Sequence, residues 1–227
     1  METYRTLLIT SVAFALSLGL PGAAPLLHAA VVPCEIAIDF GAAVPLAWSA
    51  EAHATFRREA TRVWTREGVR FCWPDETACA SSAMLYVRVV TEVPKANPVA
   101  PPALGWIGFS DRTGPGPLIL LSLRWARELV GRAERGARAL AELPGMVARL
   151  LPQALGRALA HELGHVLLAR RAHAPSGLMQ AAFRPEDLAD QAVGGRLGLQ
   201  PRDRHHLRAR CAGPEASLTT VLETRNP

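Results

Sequence analysis

The sequence predicts an α+β domain: a mixed, twisted sheet above, a long helix packed with it, and a small helical part at the C-terminal end. Three observations carry that prediction. Short alternating or β-branched runs recur between residues 31 and 123, with one helix-period segment between the first two. A long apolar helix follows near residues 152–168, and every later segment with a clear period reads as a short helix.

In chain order, residues 1–5 are a short polar segment carrying Arg5, residues 6–20 an apolar run, and residues 21–30 a looser Pro/Ala stretch. That order is expected of a secretory signal peptide, with cleavage after Ala30 and a single domain over 31–227. The apolar run is short for a membrane span, which takes about 20 residues. The mature protein is therefore expected in the periplasm or secreted, without stable membrane insertion. Four cysteines, Cys34, Cys72, Cys79 and Cys211, then suggest two disulfides, for which three pairings exist. Cys72 with Cys79 would close a short turn, and Cys34 with Cys211 would tie the ends of the domain.

Residues 31–40 alternate enough for a first strand. Residues 49–67 read as an amphipathic helix with Ser49 as N-cap, an apolar face of His53, Phe56, Ala60, Val63 and Trp64, and Gly68 just past its end. Residues 69–73 and 84–93 are the next strands, the second alternating strictly at Leu85, Val87 and Val89 until Pro94 stops it. After a Pro-rich loop at 95–102, residues 104–109 and 118–123 read as two more strands joined across 111–117. Gly105 and Gly108 in the first of these suit a sheet edge that a second backbone can approach, or a bulged hairpin. Residues 124–143 are helical and charged. Pro144 and Pro152 both suit first-turn positions, which places the start of the next helix near Pro152. Residues 185–193 and 201–210 form two further short helices, the second carrying His205 and His206, read as surface residues or, for one of them, as a hydrogen-bond donor to an oxyanion.

The chemistry lies in the long apolar helix, which contains His161-Glu162-Leu163-Gly164-His165. Residues four apart share a helical face, so His161 and His165 can direct their imidazoles at one metal ion. Neutral imidazole suits Zn²⁺, and Glu162 is placed to act as a base toward a metal-activated water. Leu155, Leu159, Leu163, Val166 and Leu167 bury this helix, where a carboxylate and two histidines need a purpose. A catalytic zinc site needs a third protein ligand. His173, followed by Ser176-Gly177-Leu178-Met179, is the first candidate, and Glu186 is its rival. Glu186 also reads simply as the acidic first turn of a helix beginning at Pro185.

This constellation resembles the zincin metallopeptidases, on their metzincin side, and a group of small exported bacterial proteins with HELGH, a spacer, His and then Gly-Leu/Ile-Met. The order of strands and helices leading into the motif is also that of a zincin catalytic domain. The resemblance implies a peptidase with His161, His165 and His173 on Zn²⁺, Glu162 as catalytic base, and Met179 in a turn beneath the metal. It implies a peptide or protein substrate laid along the sheet edge at 105–109. Two departures stand out. Metzincins place glycine three residues after the second histidine, where this chain has Leu168, and His173 arrives two residues late, so the helix is expected to run longer before its turn. No tyrosine follows the motif, since Tyr4 and Tyr86 are the only two, so no tyrosine donor can come from that region.

The net charge of +5 does not point to nucleic acid. It is nearly all arginine, scattered among acids, with no basic stripe interleaved with aromatics. Arg132, Arg135, Arg138 and Arg149 read as solvated helix faces. A monomer acting on peptides is the expectation. Its rivals are a secreted binding module with a structural zinc and a zinc hydrolase of a non-peptide amide.

Overall fold

The computed structural model describes residues 34–43, 46, 48–75, 83–94, 103–137, 146–189 and 196–212. Outside them lie the expected signal peptide, the first residues of the first predicted strand, Cys79, the Pro-rich loop, Pro144, Arg138, and the ends of the helices predicted to reach 143 and 193.

Five strands form one mixed sheet: β1 (Glu35–Ala42), β2 (Arg70–Cys72), β3 (Met84–Val90), β4 (Gly105–Ser110) and β5 (Gly114–Ser122), in the order β2-β1-β3-β5-β4. All neighbours are parallel except β4, which runs antiparallel to β5 at the end of the sheet. The alternation in β3 does what period-2 patterning requires. Leu85, Val87 and Val89 are buried, and register pairs Ile38 with Leu85, Val87 with Ile119 and Val89 with Leu121 into one apolar face. The opposite face carries Met84, Tyr86 and Leu118, all exposed. Strand β5 begins at Gly114 rather than Leu118, so the hairpin turn is shorter than expected and two prolines lie within the strand. A β-bulge interrupts the pairing between Ile107 and Phe109.

Helices α1 (Ala50–Thr65), α2 (Leu123–Ala137) and α3 (Met146–Leu167) contribute to the same core as the sheet's apolar face. Ser49 caps α1, its hydroxyl accepting from the Ala52 N–H, and Gly68 lies just past the end at φ 88°. The buried face of α1 holds Phe56, Ala60 and Trp64 as expected, with Val63 and His53 at its margin, and also Glu59. That acid is matched by Arg157 of α3, whose Nε stands 3.0 Å from it, with side chains 7 % and 2 % exposed. Arg157 also donates to the Asp187 carbonyl of α4 (Pro185–Ala189). Among the arginines expected at the surface, Arg132 is exposed, while the side chains of Arg135 and Arg149 fall outside the description.

Helix α3 starts at Met146, earlier than the first-turn preference of proline indicates, and takes Pro152 into its interior. An internal proline costs about 3 kcal/mol in a lone helix. Here every residue from 150 to 168 is buried, so packing offsets that cost. Helix α5 (Pro201–Ala212) closes the described chain, and its Cys211 is disulfide-bonded to Cys34 at the start of β1. Cys72 is also oxidised.

Candidate metal centre

Helix α3 is buried on every side from Leu150 to its end, so each polar side chain it carries there needs a partner. Trp64 fixes its height against α1 by donating from Nε1 to the Ala160 carbonyl at 2.9 Å. One turn further, His161 and His165 are 8 % and 5 % exposed. The Nδ1 of His161 lies 2.8 Å from the Leu178 carbonyl, and that of His165 lies 2.7 Å from the Arg170 carbonyl. A carbonyl only accepts, so each Nδ1 carries the proton and each Nε2 presents a lone pair.

Those two Nε2 atoms face one another at 3.1 Å. Burial, and next the neighbouring His165, holds His161 down to about 3, and burial lowers His165 as well. No proton is therefore available to bridge two opposed lone pairs, whereas a cation satisfies both. Two nitrogens about 2.05 Å from one zinc ion at the tetrahedral angle stand roughly 3.3 Å apart. The spacing fits. His173 completes the set: the ligand atoms of His161, His165 and His173 all lie within 4.8 Å of one another. The His173 ring centre is 5.2 Å from that of His161 and 5.1 Å from that of His165. No fourth His, Cys, Asp or Glu joins this cluster among the described residues. Glu186 is exposed in the first turn of α4 and is not part of it.

The chain reaches His173 by an unexpected route. Helix α3 does not run longer; it ends at Leu167. Ala169 adopts φ 46°, the Ala169 N–H reaches the Val166 carbonyl at 3.1 Å, and the Arg170 N–H reaches the His165 carbonyl at 3.2 Å. This is the paired hydrogen-bond pattern that closes helices around a left-handed residue, normally glycine. The two extra residues before His173 thus lie in the loop after the turn, not in the helix.

Met179 is 1 % exposed and lies directly beneath the motif. A Cβ on Gly164 would come within 2.1 Å of its sulfur and 3.0 Å of the Trp64 ring, so only glycine admits this floor. The loop carrying Met179 also turns the Leu178 carbonyl toward His161, with Ala174 bridged to Gln180 across it. Aromatic rings flank the cluster: Phe109 meets His165 edge-on at 6.0 Å, and Phe183 meets His161 at 5.7 Å. Arg171 lies over Phe109 and donates to its carbonyl at 3.1 Å.

Glu162 is 6 % exposed and has no hydrogen-bond partner among the described residues. Burial pushes its carboxyl up to about 8. It is pressed against the end strand: a Cβ on Gly105 would stand 2.5 Å from its Oε1 and 2.6 Å from its Cγ. Gly105 therefore admits a carboxylate side chain, a use beyond the two the sequence offered, room for a second backbone or a bulged hairpin.

His161, His165 and His173 are thus brought to one place with Met179 against Gly164 between the first two; Glu162, next in the chain to His161, lies with its carboxylate against β4, and Glu186 is outside the cluster. His205 and His206 lie exposed on α5, the latter with Nε2 3.2 Å from the Leu168 carbonyl. Sequence reasoning missed Arg170 and Asp203, whose side chains pair at 2.8 Å beside the site, because nothing in residues 33 apart signals contact. Searches of protein-family models, characterised proteins and solved structures return no match to this chain.

Proposed function

We propose that this chain is an exported, zinc-dependent metallopeptidase of zincin type, with His161, His165 and His173 as the protein ligands of Zn²⁺ and Glu162 as general base and then general acid. The observation that carries the reading is the opposed pair of unprotonated Nε2 atoms with His173 close by and a buried carboxylate one residue away. When bound, zinc acidifies a water molecule and polarises the scissile carbonyl.

The chain's own residues do the rest. The Leu178 and Arg170 carbonyls keep both rings in the tautomer that offers Nε2. Burial alone favours the protonated form of Glu162, and the charge of a bound zinc would draw it back toward the carboxylate that takes a proton from water and returns it to the leaving nitrogen. Strand β4, at the end of the sheet and against Glu162, is the edge along which an extended peptide would add by backbone hydrogen bonds. That edge favours a peptide over a non-peptide amide as substrate. A cluster of three ligands among the described residues fits an open, catalytic site.

The test pairs zinc stoichiometry with hydrolysis of fluorescein-labelled casein. Wild-type protein should bind one zinc and release label, and Glu162→Gln should keep the zinc and lose most of the hydrolysis. Undiminished hydrolysis by Glu162→Gln would eliminate Glu162 as the base. Zinc binding without hydrolysis of casein or any peptide by the wild type would return the chain to a binding module.

A further inference from the structure

Helix α5 reaches the metal centre without supplying a ligand. Asp203, in its first turn, is 1 % exposed, and its Oδ1 stands 2.8 Å from the Arg170 guanidinium. A carboxylate at that depth is costly unless a counter-charge meets it. Neither of its oxygens makes a hydrogen bond, nor do Nε and Nη2 of Arg170, so the ion pair is what each group has.

Arg170 is also the residue whose carbonyl accepts the Nδ1 proton of His165. Its backbone follows the left-handed Ala169, a strained conformation for a residue with a Cβ. Such a turn persists only where its surroundings over-determine it. Helix α5 supplies that determination, through Asp203 on Arg170 and His206 against the Leu168 carbonyl. The helix is itself held by Arg204 and Arg208 on Glu67, at 2.9 and 3.3 Å, and by the disulfide from Cys211.

Building on the zinc reading above, we infer that Asp203 is a positioning residue for His165: it holds the Arg170 side chain, hence the carbonyl that aims the ring. Losing an outer partner of a ligating histidine costs about 10–100-fold in metal affinity. Asp203 stands one residue further out, so the lower end applies.

Two measurements test this. The first is zinc affinity by competition with a chromophoric chelator. Asp203→Asn should weaken zinc about tenfold, while Arg170→Lys, which keeps a cation opposite Asp203, should stay within about twofold of wild type. Val87→Ala, a core truncation in β3, should lower stability but leave zinc affinity unchanged. The second is ¹⁵N-selected histidine NMR on the metal-free protein. In Asp203→Asn the His165 Nδ1–H signal should broaden or exchange away, while that of His161, held by Leu178, persists. Retention of both ring signals and of wild-type zinc affinity in Asp203→Asn overturns the inference, as does an equal affinity loss in Val87→Ala. Failure of the wild type to bind zinc sinks the peptidase reading instead, and the ring signals of the metal-free protein then decide the role of Asp203 by themselves.

Discussion

On the peptidase reading proposed above, substituting Gly105 by alanine should disable Glu162 as base without removing it. The added Cβ would meet Glu162 at Oε1, Cγ and Cδ, at 2.5, 2.6 and 2.8 Å, where ordinary contact begins at 3.4 Å. Something must give by nearly 1 Å. Because Cγ is among the clashing atoms, rotating the carboxylate alone is not enough; the side chain must change rotamer or β4 must lift from α3. A misplacement of about 1 Å in a reacting group can cost about 100-fold in rate, equivalent to about 2.7 kcal/mol. Gly105→Ala should therefore lower kcat/KM on an internally quenched peptide by about 100-fold. Its zinc affinity should match wild type, since the Leu178 and Arg170 carbonyls, not Gly105, hold the histidine rings. The assay is kcat/KM beside chelator competition on the same preparation. Full activity in Gly105→Ala would refute the claim that the strand sets the carboxylate. A parallel loss of zinc would show that the strand acts through the ligands instead.

Other outcomes follow from the same geometry. Ala169→Gly should stabilise the fold by about 0.5–1 kcal/mol, the relief of left-handed strain less the extra freedom glycine gives the unfolded chain; urea denaturation measures it, and destabilisation would mean the turn is not strained. His173→Ala should weaken zinc far more than Glu186→Ala, because Glu186 lies outside the cluster; the reverse ranking, by chelator competition, would exchange their roles. Glu59→Ala should cost about 3–5 kcal/mol in chemical denaturation by removing the carboxylate that meets the buried Arg157; a loss near zero would mean that the guanidinium's other contacts suffice.

What could be read in the sequence is what is encoded locally. His161, Glu162 and His165 declare themselves within five residues, and the alternation of Leu85, Val87 and Val89 states which face of β3 is buried. Ser49 announces its helix because a cap acts over three residues. The start of α3 was misread because proline preferences describe an isolated helix, and tertiary packing around Pro152 overrides them. The turn before His173 was misread for a related reason. Glycine marks a left-handed position when local energy decides, but Ala169 takes one where α5 packs its His206 against the neighbouring Leu168 carbonyl. Glu59 with Arg157 pair across 98 residues, and a Leu178 main-chain oxygen serves His161; neither leaves a mark in composition or spacing.

The Cys34–Cys211 bridge has a consequence of its own for a molecule read as a peptidase. It joins two residues 177 positions apart and so closes most of the domain into one covalent ring. A single cut in any connecting segment inside that ring, by the protein's own copies or by another enzyme, opens the ring without releasing a fragment. Nicked molecules would run as intact mass until a reductant is added, and would keep both halves of the metal centre at one another's disposal.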